Sequence, residues 1–117
     1  MRVRPASPHD FRPPTGALLV IVEGDETVAS GALRRCGDGV GEITRVWTAP
    51  AHRRRGHARR ILTALEDVAR GYGYRCVQLE TEDLSPAAIE LCASAGYHGV
   101  AHDGASARCV CFEKRLD

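Results

Sequence analysis

A mixed α/β fold is what this sequence predicts: a mostly antiparallel, twisted sheet around a central unit of strand, loop, long helix and strand. Three observations predict it. Residues 18–22, 27–35 and 40–48 are extended runs separated by the turn signals Gly24-Asp25-Glu26 and Gly37-Asp38-Gly39, the pattern of an antiparallel meander. Ala58, Ile61, Leu62, Leu65, Val68, Ala69 and Tyr72 fall at the spacing that gathers apolar side chains on one helical face. Residues 75–81 are a further extended run, so the strand at 40–48, the helix and this strand form a crossover unit, the connection that joins parallel neighbours.

Each element has a local cause. Residues 1–16 hold four prolines and little apolar periodicity, and read as an extended arm with a short strand around Val3. The run at 40–48 stops at Ala49-Pro50, because proline has no N–H to donate to a ladder. The helix starts at or near Gly56 and ends near Tyr72, with Gly71 and Gly73 as stop signals. Arg59, Arg60, Glu66, Asp67 and Arg70 fall off the apolar stripe, and Glu66 and Arg70 are spaced to pair across one turn. Ser85-Pro86 is a helix start, a hydroxyl cap followed by proline at the first helical position, for a short helix over 87–95 closed by Gly96. A last strand over 108–114 follows a loop that contains His98, His102 and Asp103.

Composition narrows what these elements serve. A chain of 117 residues that is 44% hydrophobic fits one domain with a modest core. Its formal charge of +1 provides no global attraction for nucleic acid or anionic lipid. The longest apolar run, 17–22, is too short to span a bilayer, and the N-terminal residues lack the apolar core of a secretory signal, so a soluble cytoplasmic protein is expected. Cysteines at 36, 76, 92, 109 and 111 form no framework spacing and read as reduced thiols. Cys109 and Cys111 with His98 and His102 match no standard zinc pattern, and small apolar strand residues are the better reading.

The stretch AHRRRGHARR, residues 51–60, sets five arginines and two histidines around one glycine at the turn from strand to helix. A helix begins with unpaired N–H groups and the positive end of its dipole, so such a turn is a natural anion site. Arg53 to Ala58 spell R-x-x-G-x-A, with small residues where a side chain would keep a phosphate from the amides. The stretch lacks the Gly-Lys-Ser/Thr of a P-loop and the paired glycines of a dinucleotide fingerprint. On these residues alone, a solvated basic helix end reads equally well. A nucleic-acid arm reads poorly, since the arginines have neither flanking aromatics nor net basicity behind them.

Residues 41–65, GEITRVWTAPAHRRRGHARRILTAL, run from a strand through Val-x-Thr and proline into this loop and the long helix. QLETEDLSPAAIELCASAGY at 78–97 and CFEKRL at 111–116 follow. In these segments, over about residues 17–116, the chain resembles the GNAT superfamily of acetyl-CoA-dependent N-acyltransferases. The resemblance implies that the amides of a Q/R-x-x-G-x-G/A loop hold the coenzyme A pyrophosphate, here with Arg53, Arg54, Arg55, Gly56, His57, Ala58 and Arg59. It implies that the backbone of Val46, Trp47 and Thr48 pairs with the pantetheine arm, although Trp47 reads equally as a core or surface aromatic. Ser85 and Ala88 fall where the family's helix approaches the cofactor, with helix capping as the other role for Ser85.

The implied reaction is direct attack of a primary amine, from a small molecule or a peptide, on acetyl-CoA, without a covalent enzyme intermediate and without a metal. The amine must lose a proton, the thioester carbonyl needs a polarising donor, and the leaving thiolate needs a proton. Glu42 stands where family members often carry the glutamate that takes the amine proton; a structural pairing with Arg45 or another arginine is its other reading. Cys92 stands where a tyrosine usually protonates the thiolate; its thiol could donate that proton, but a small buried helix cysteine is the better reading, and the departure raises a second reading of the whole chain, a catalytically weak or inactive acyl-CoA-binding module. Only sixteen residues precede Ala17, so the resemblance implies that the helices which usually wall the acceptor pocket are shortened or missing; the pocket is then either unusually open or completed by another subunit, and a homodimer is expected.

Overall fold

Local chain chemistry sets the order of elements. The computed structural model describes residues 2–6, 16–81, 86–100 and 110–116. Strands β1 (Arg2–Ala6), β2 (Ala17–Glu23), β3 (Glu26–Gly37) and β4 (Val40–Thr48) form the meander, and a 3-10 turn, Pro50–His52, leads to helix α1 (His57–Gly71). Strand β5 (Cys76–Thr81), helix α2 (Pro86–Ser94) and strands β6 (His98–Val100) and β7 (Val110–Arg115) complete the chain. Among the described residues these strands form one sheet in the order β1-β2-β3-β4-β5-β7-β6. Every neighbouring pair is antiparallel except β4 and β5, which α1 joins by the expected crossover.

Gly24-Asp25 and Asp38-Gly39 make the two tight turns of the meander, pairing Glu23 with Glu26 and Gly37 with Val40. Helix α1 lies on β2, β3 and β4. Ile61, Leu62, Leu65 and Ala69 from the predicted apolar face join Leu19, Ile21, Val28, Leu33, Ile43 and Val77 of the sheet in one buried cluster. The helix ends by reaching back, with Tyr74 N–H on the Ala69 carbonyl at 3.0 Å and Gly73 N–H on that of Arg70 at 3.0 Å, while Gly73 takes the left-handed φ of 85° that this motif needs. Helix α2 closes in the same way, with Tyr97 N–H on the Cys92 carbonyl at 3.0 Å.

Four sequence expectations need correction. Glu66 does not pair with Arg70: it is buried and bonded to Tyr97 and Lys114, while Arg70 pairs with Asp67 at 3.1 Å. His98 lies on β6, opposite Glu113 of β7, and not in a loop. The meander's third strand runs on past residue 35 to Gly37, because pairing to β4 continues up to the tight turn. The last strand spans Val110–Arg115, one residue beyond the expected end, since Arg115 still pairs with Cys76. Ser85, His102, Asp103 and Cys109 lie outside the described residues. No described helix is long and apolar enough to cross a membrane.

Candidate active site at the parting of β4 and β5

The centre of the sheet opens where β4 leaves β5. The two strands pair in parallel from Val40 with Cys76 to Ile43 with Leu79, and there the ladder stops. Beyond that point β5 stays paired with β7 up to Thr81, whereas β4 stays paired only with β3. The cause is a β-bulge: Arg45 and Val46 together face the single residue Gly31, and Arg45 takes a left-handed φ of 58°. An extra residue bends the strand and increases its twist, turning the end of β4 away from β5. Among the described residues, the parallel ladder with β5 therefore does not extend to Val46, Trp47 and Thr48. Val46 is half-buried over Gly31, and Trp47 is exposed.

That end of β4 runs straight into the arginine loop. After the 3-10 turn Arg53 is extended, Arg54 takes a φ of 67°, and Gly56 caps the helix at φ 80°. The first helical bond is from Arg60 N–H to the Gly56 carbonyl, at 3.1 Å, so the amides of His57, Ala58 and Arg59 have no acceptor inside the helix. No side chain caps them and no acidic residue lies in the first turn. A Cβ built on Gly56 meets nothing within 4 Å, which leaves the approach to these amides clear. Arg53, Arg54 and Arg55 are exposed around it. A short run of free donors at a positive helix end, ringed by guanidinium groups, has the chemistry to accept an anion such as a diphosphate.

Two members of the predicted loop set point their side chains elsewhere. The Arg59 guanidinium donates to Ser94 Oγ at 3.0 Å and to the Ser94 carbonyl at 2.8 Å, fastening α1 to the end of α2. His57 is buried at 2% exposure, so its place in the loop is a backbone amide alone. Its ring turns inward to a group that sequence reasoning missed: Glu23 Oε1 is 3.5 Å from His57 Nε2, and Glu23 Oε2 is 3.2 Å from His52 Nδ1. Glu23 ends β2 and His52 lies in the 3-10 turn, so the contact ties the β2–β3 hairpin to the loop. No sequence spacing pairs residues so far apart in the chain.

Glu42 stands on β4 within the stretch still paired to β5, opposite Gln78, with its side chain 22% exposed. Arg34 of β3 holds its Oε1 at 2.7 Å, so the pairing with an arginine is present and the partner is Arg34. Cys92 is 4% exposed inside the hydrophobic cluster, and burial pushes its thiol pKa up. The tyrosine hydroxyls are engaged at Gly16 for Tyr72 and at Glu66 for Tyr97, while burial raises the pKa of Tyr74. Ala88 is on α2.

A mixed sheet parted at its centre, with an open amide turn at the foot of the parting, is the framework of a coenzyme A-dependent acyltransferase. The sequence model of the acetyltransferase (GNAT) family matches residues 3–97. The chain belongs to that family. No curated protein sequence matches it. Among solved structures, a Klebsiella pneumoniae subsp. pneumoniae MGH 78578 protein provisionally assigned as an acyl-CoA N-acyltransferase is 27% identical, with a TM-score of 0.85 over 99% of this chain and 97% of that one. The GNAT domain of S. lividans PAT is 24% identical, with a TM-score of 0.77 over 87% of this chain and 61% of that one. The PaiA N-acetyltransferase of Thermoplasma acidophilum, solved in complex with coenzyme A, is 14% identical with a TM-score of 0.75, over 86% and 61% of the two chains.

Proposed function

We propose that this protein is an N-acetyltransferase that moves an acetyl group from acetyl-CoA to the primary amine of a small molecule or peptide. One observation carries the reading: Val46 to Thr48 of β4, beyond the end of the ladder with β5, lead directly into the open amides at the start of α1. An amide-bearing pantetheine arm pairs with the first like an added strand, along Val46, Trp47 and Thr48. The diphosphate of the same molecule then meets the second, with the exposed Arg53, Arg54 and Arg55 assisting. Acyl transfer from acyl-CoA is the common chemistry of the fold, and the Thermoplasma neighbour, solved in complex with coenzyme A, supports coenzyme A as the ligand.

The transfer needs little more than orientation and charge placement. The neutral amine attacks the thioester carbonyl, a β4 amide stabilises the oxyanion, and the carbon–sulfur bond breaks to release the coenzyme as a thiolate. Glu42 takes the proton lost by the amine through a water molecule. With Cys92 in the core, the thiolate is reprotonated by solvent, and we assign Cys92 to packing. Ala88 of α2 belongs at the edge of the cofactor site in this reading. The fixed Arg34 pair on Glu42 and the absence of a hydroxyl acid at position 92 favour a second reading, an acyl-CoA-binding module without turnover.

Calorimetric titration with acetyl-CoA, together with thiol release over a panel of polyamines, amino acids and peptides, separates the readings. Saturable binding with amine-dependent thiol release is expected. Binding without release over the whole panel moves the assignment to the binding module, and absence of binding refutes both.

A further inference from the structure

We propose that Glu23, His52 and His57 form a binding site for a divalent transition-metal ion of the zinc class, separate from the acyl-transfer chemistry. One donor atom from each residue lies within 4.8 Å of the other two. The Glu23 carboxylate already spans the pair, 3.2 Å from His52 Nδ1 and 3.5 Å from His57 Nε2. An ion bound at about 2.0–2.2 Å by imidazole and carboxylate ligands holds its donors roughly 3–4 Å apart, and both Glu23 contacts fall in that range.

The second, independent observation is His57 Nε2. It is buried with no hydrogen-bond partner, and the ring around it is 1% exposed. Leaving a buried polar atom unsatisfied is unfavourable, and at 3.5 Å the Glu23 oxygen makes no hydrogen bond to it. An ion between them satisfies both atoms. On its outer side His52 Nε2 faces Glu26 Oε2 at 3.5 Å, so a second carboxylate stands behind the ring. A carboxylate behind a ligating histidine is the usual support of a metal-bound imidazole.

Two arginines oppose the ion, and both are exposed. Arg55 Nη1 lies 3.4 Å from His52 Nδ1, and Arg60 Nη1 lies 3.2 Å from His57 Nδ1. Binding moves the His57 proton to Nδ1, so Arg60 gives up that contact while its bond to the Arg55 carbonyl at 3.3 Å remains available. Glu23 and Glu26 offset the two positive charges. Imidazole nitrogens select zinc, cobalt, nickel or copper over magnesium and calcium. Three protein donors leave a coordination position for water, and the bound ion clamps the β2–β3 hairpin to the loop before α1.

The test uses the full chain without an affinity tag, stripped with a chelator and titrated with Co2+, followed by Zn2+ competition against a chromophoric chelator. Expected is a single equivalent of cobalt that zinc displaces, with visible ligand-field bands and without the thiolate charge-transfer band that cysteine ligation produces. Glu23→Gln and His52→Gln should each weaken binding by about tenfold or more, while circular dichroism of the metal-free variants matches the parent. Absence of saturable binding up to ~100 μM cobalt, a level far weaker than dedicated sites, overturns the proposal. So does a thiolate band, or binding by both variants as tight as the parent's.

Discussion

Glu66 shows how a single side chain departs from its helical register. It lies at the border of the apolar face of α1 and is 4% exposed, yet it holds two partners from distant elements. The Tyr97 hydroxyl donates to its Oε2 at 2.7 Å, and Lys114 Nζ donates to its Oε1 at 2.9 Å and to the Ala95 carbonyl at 2.8 Å. Burial, with Glu66 alongside, pushes the Tyr97 hydroxyl pKa up, so the proton stays on tyrosine and the bond to the carboxylate persists through neutral pH. Lys114→Met leaves the carboxylate without its counter-charge and is expected to cost roughly 2–3 kcal/mol, read as a lower denaturant midpoint at unchanged slope. Glu66→Gln in the same chain should recover part of that loss. Glu42 carries a prediction of the opposite kind. Replacing it with alanine should lower kcat by at least ~100-fold while calorimetric affinity for acetyl-CoA holds, and an unaltered rate removes it from the mechanism. The two carboxylates were not equally legible. Glu42 stood out by its place in a recognisable strand, whereas the partner of Glu66 lies 48 residues away and left no local trace.

Between elements, the decisive feature is the bulge of β4 over Gly31. A Cβ at position 31 would overlap Ile61 Cγ2 and stand 3.1 Å from Leu65 Cδ1, so glycine is what lets α1 lie against the bulged segment. Gly31→Ala is expected to cost about 1–3 kcal/mol by lifting the helix, checked by chemical denaturation. The start of α1 makes the complementary prediction. Gly56→Glu and Arg55→Glu place negative charge at the open amides, and each should weaken acetyl-CoA by about tenfold or more in calorimetry; undiminished affinity shows that the diphosphate lies elsewhere. Strands, turns, the long helix and its stop were readable because their causes are local: β-branched runs, Gly-Asp pairs, 3.6-residue periodicity, and a glycine after the last turn. The bulge was not readable, because Thr44, Arg45 and Val46 are ordinary strand residues and only the pairing with β3 shows two of them facing one.

At the scale of the molecule, residues 7–16 alone connect β1 to β2, and β1 pairs with β2 along its full described length. We propose that a second copy of the chain completes the acceptor side. Light scattering at micromolar concentration should then return the mass of two chains, and a strictly monomeric mass disposes of the dimer. The amino-acid sequence by itself determined the family, the succession of elements, the apolar face of α1 and the glycine turn before it, since each depends on neighbours within a few residues. Only the tertiary structure decided that β4 parts from β5, that Arg59 is spent on α2, that Glu42 is held by Arg34, and that Glu23 meets two histidines. Those outcomes are contacts between residues distant in the chain, and their energies come from packing and desolvation that no local pattern encodes.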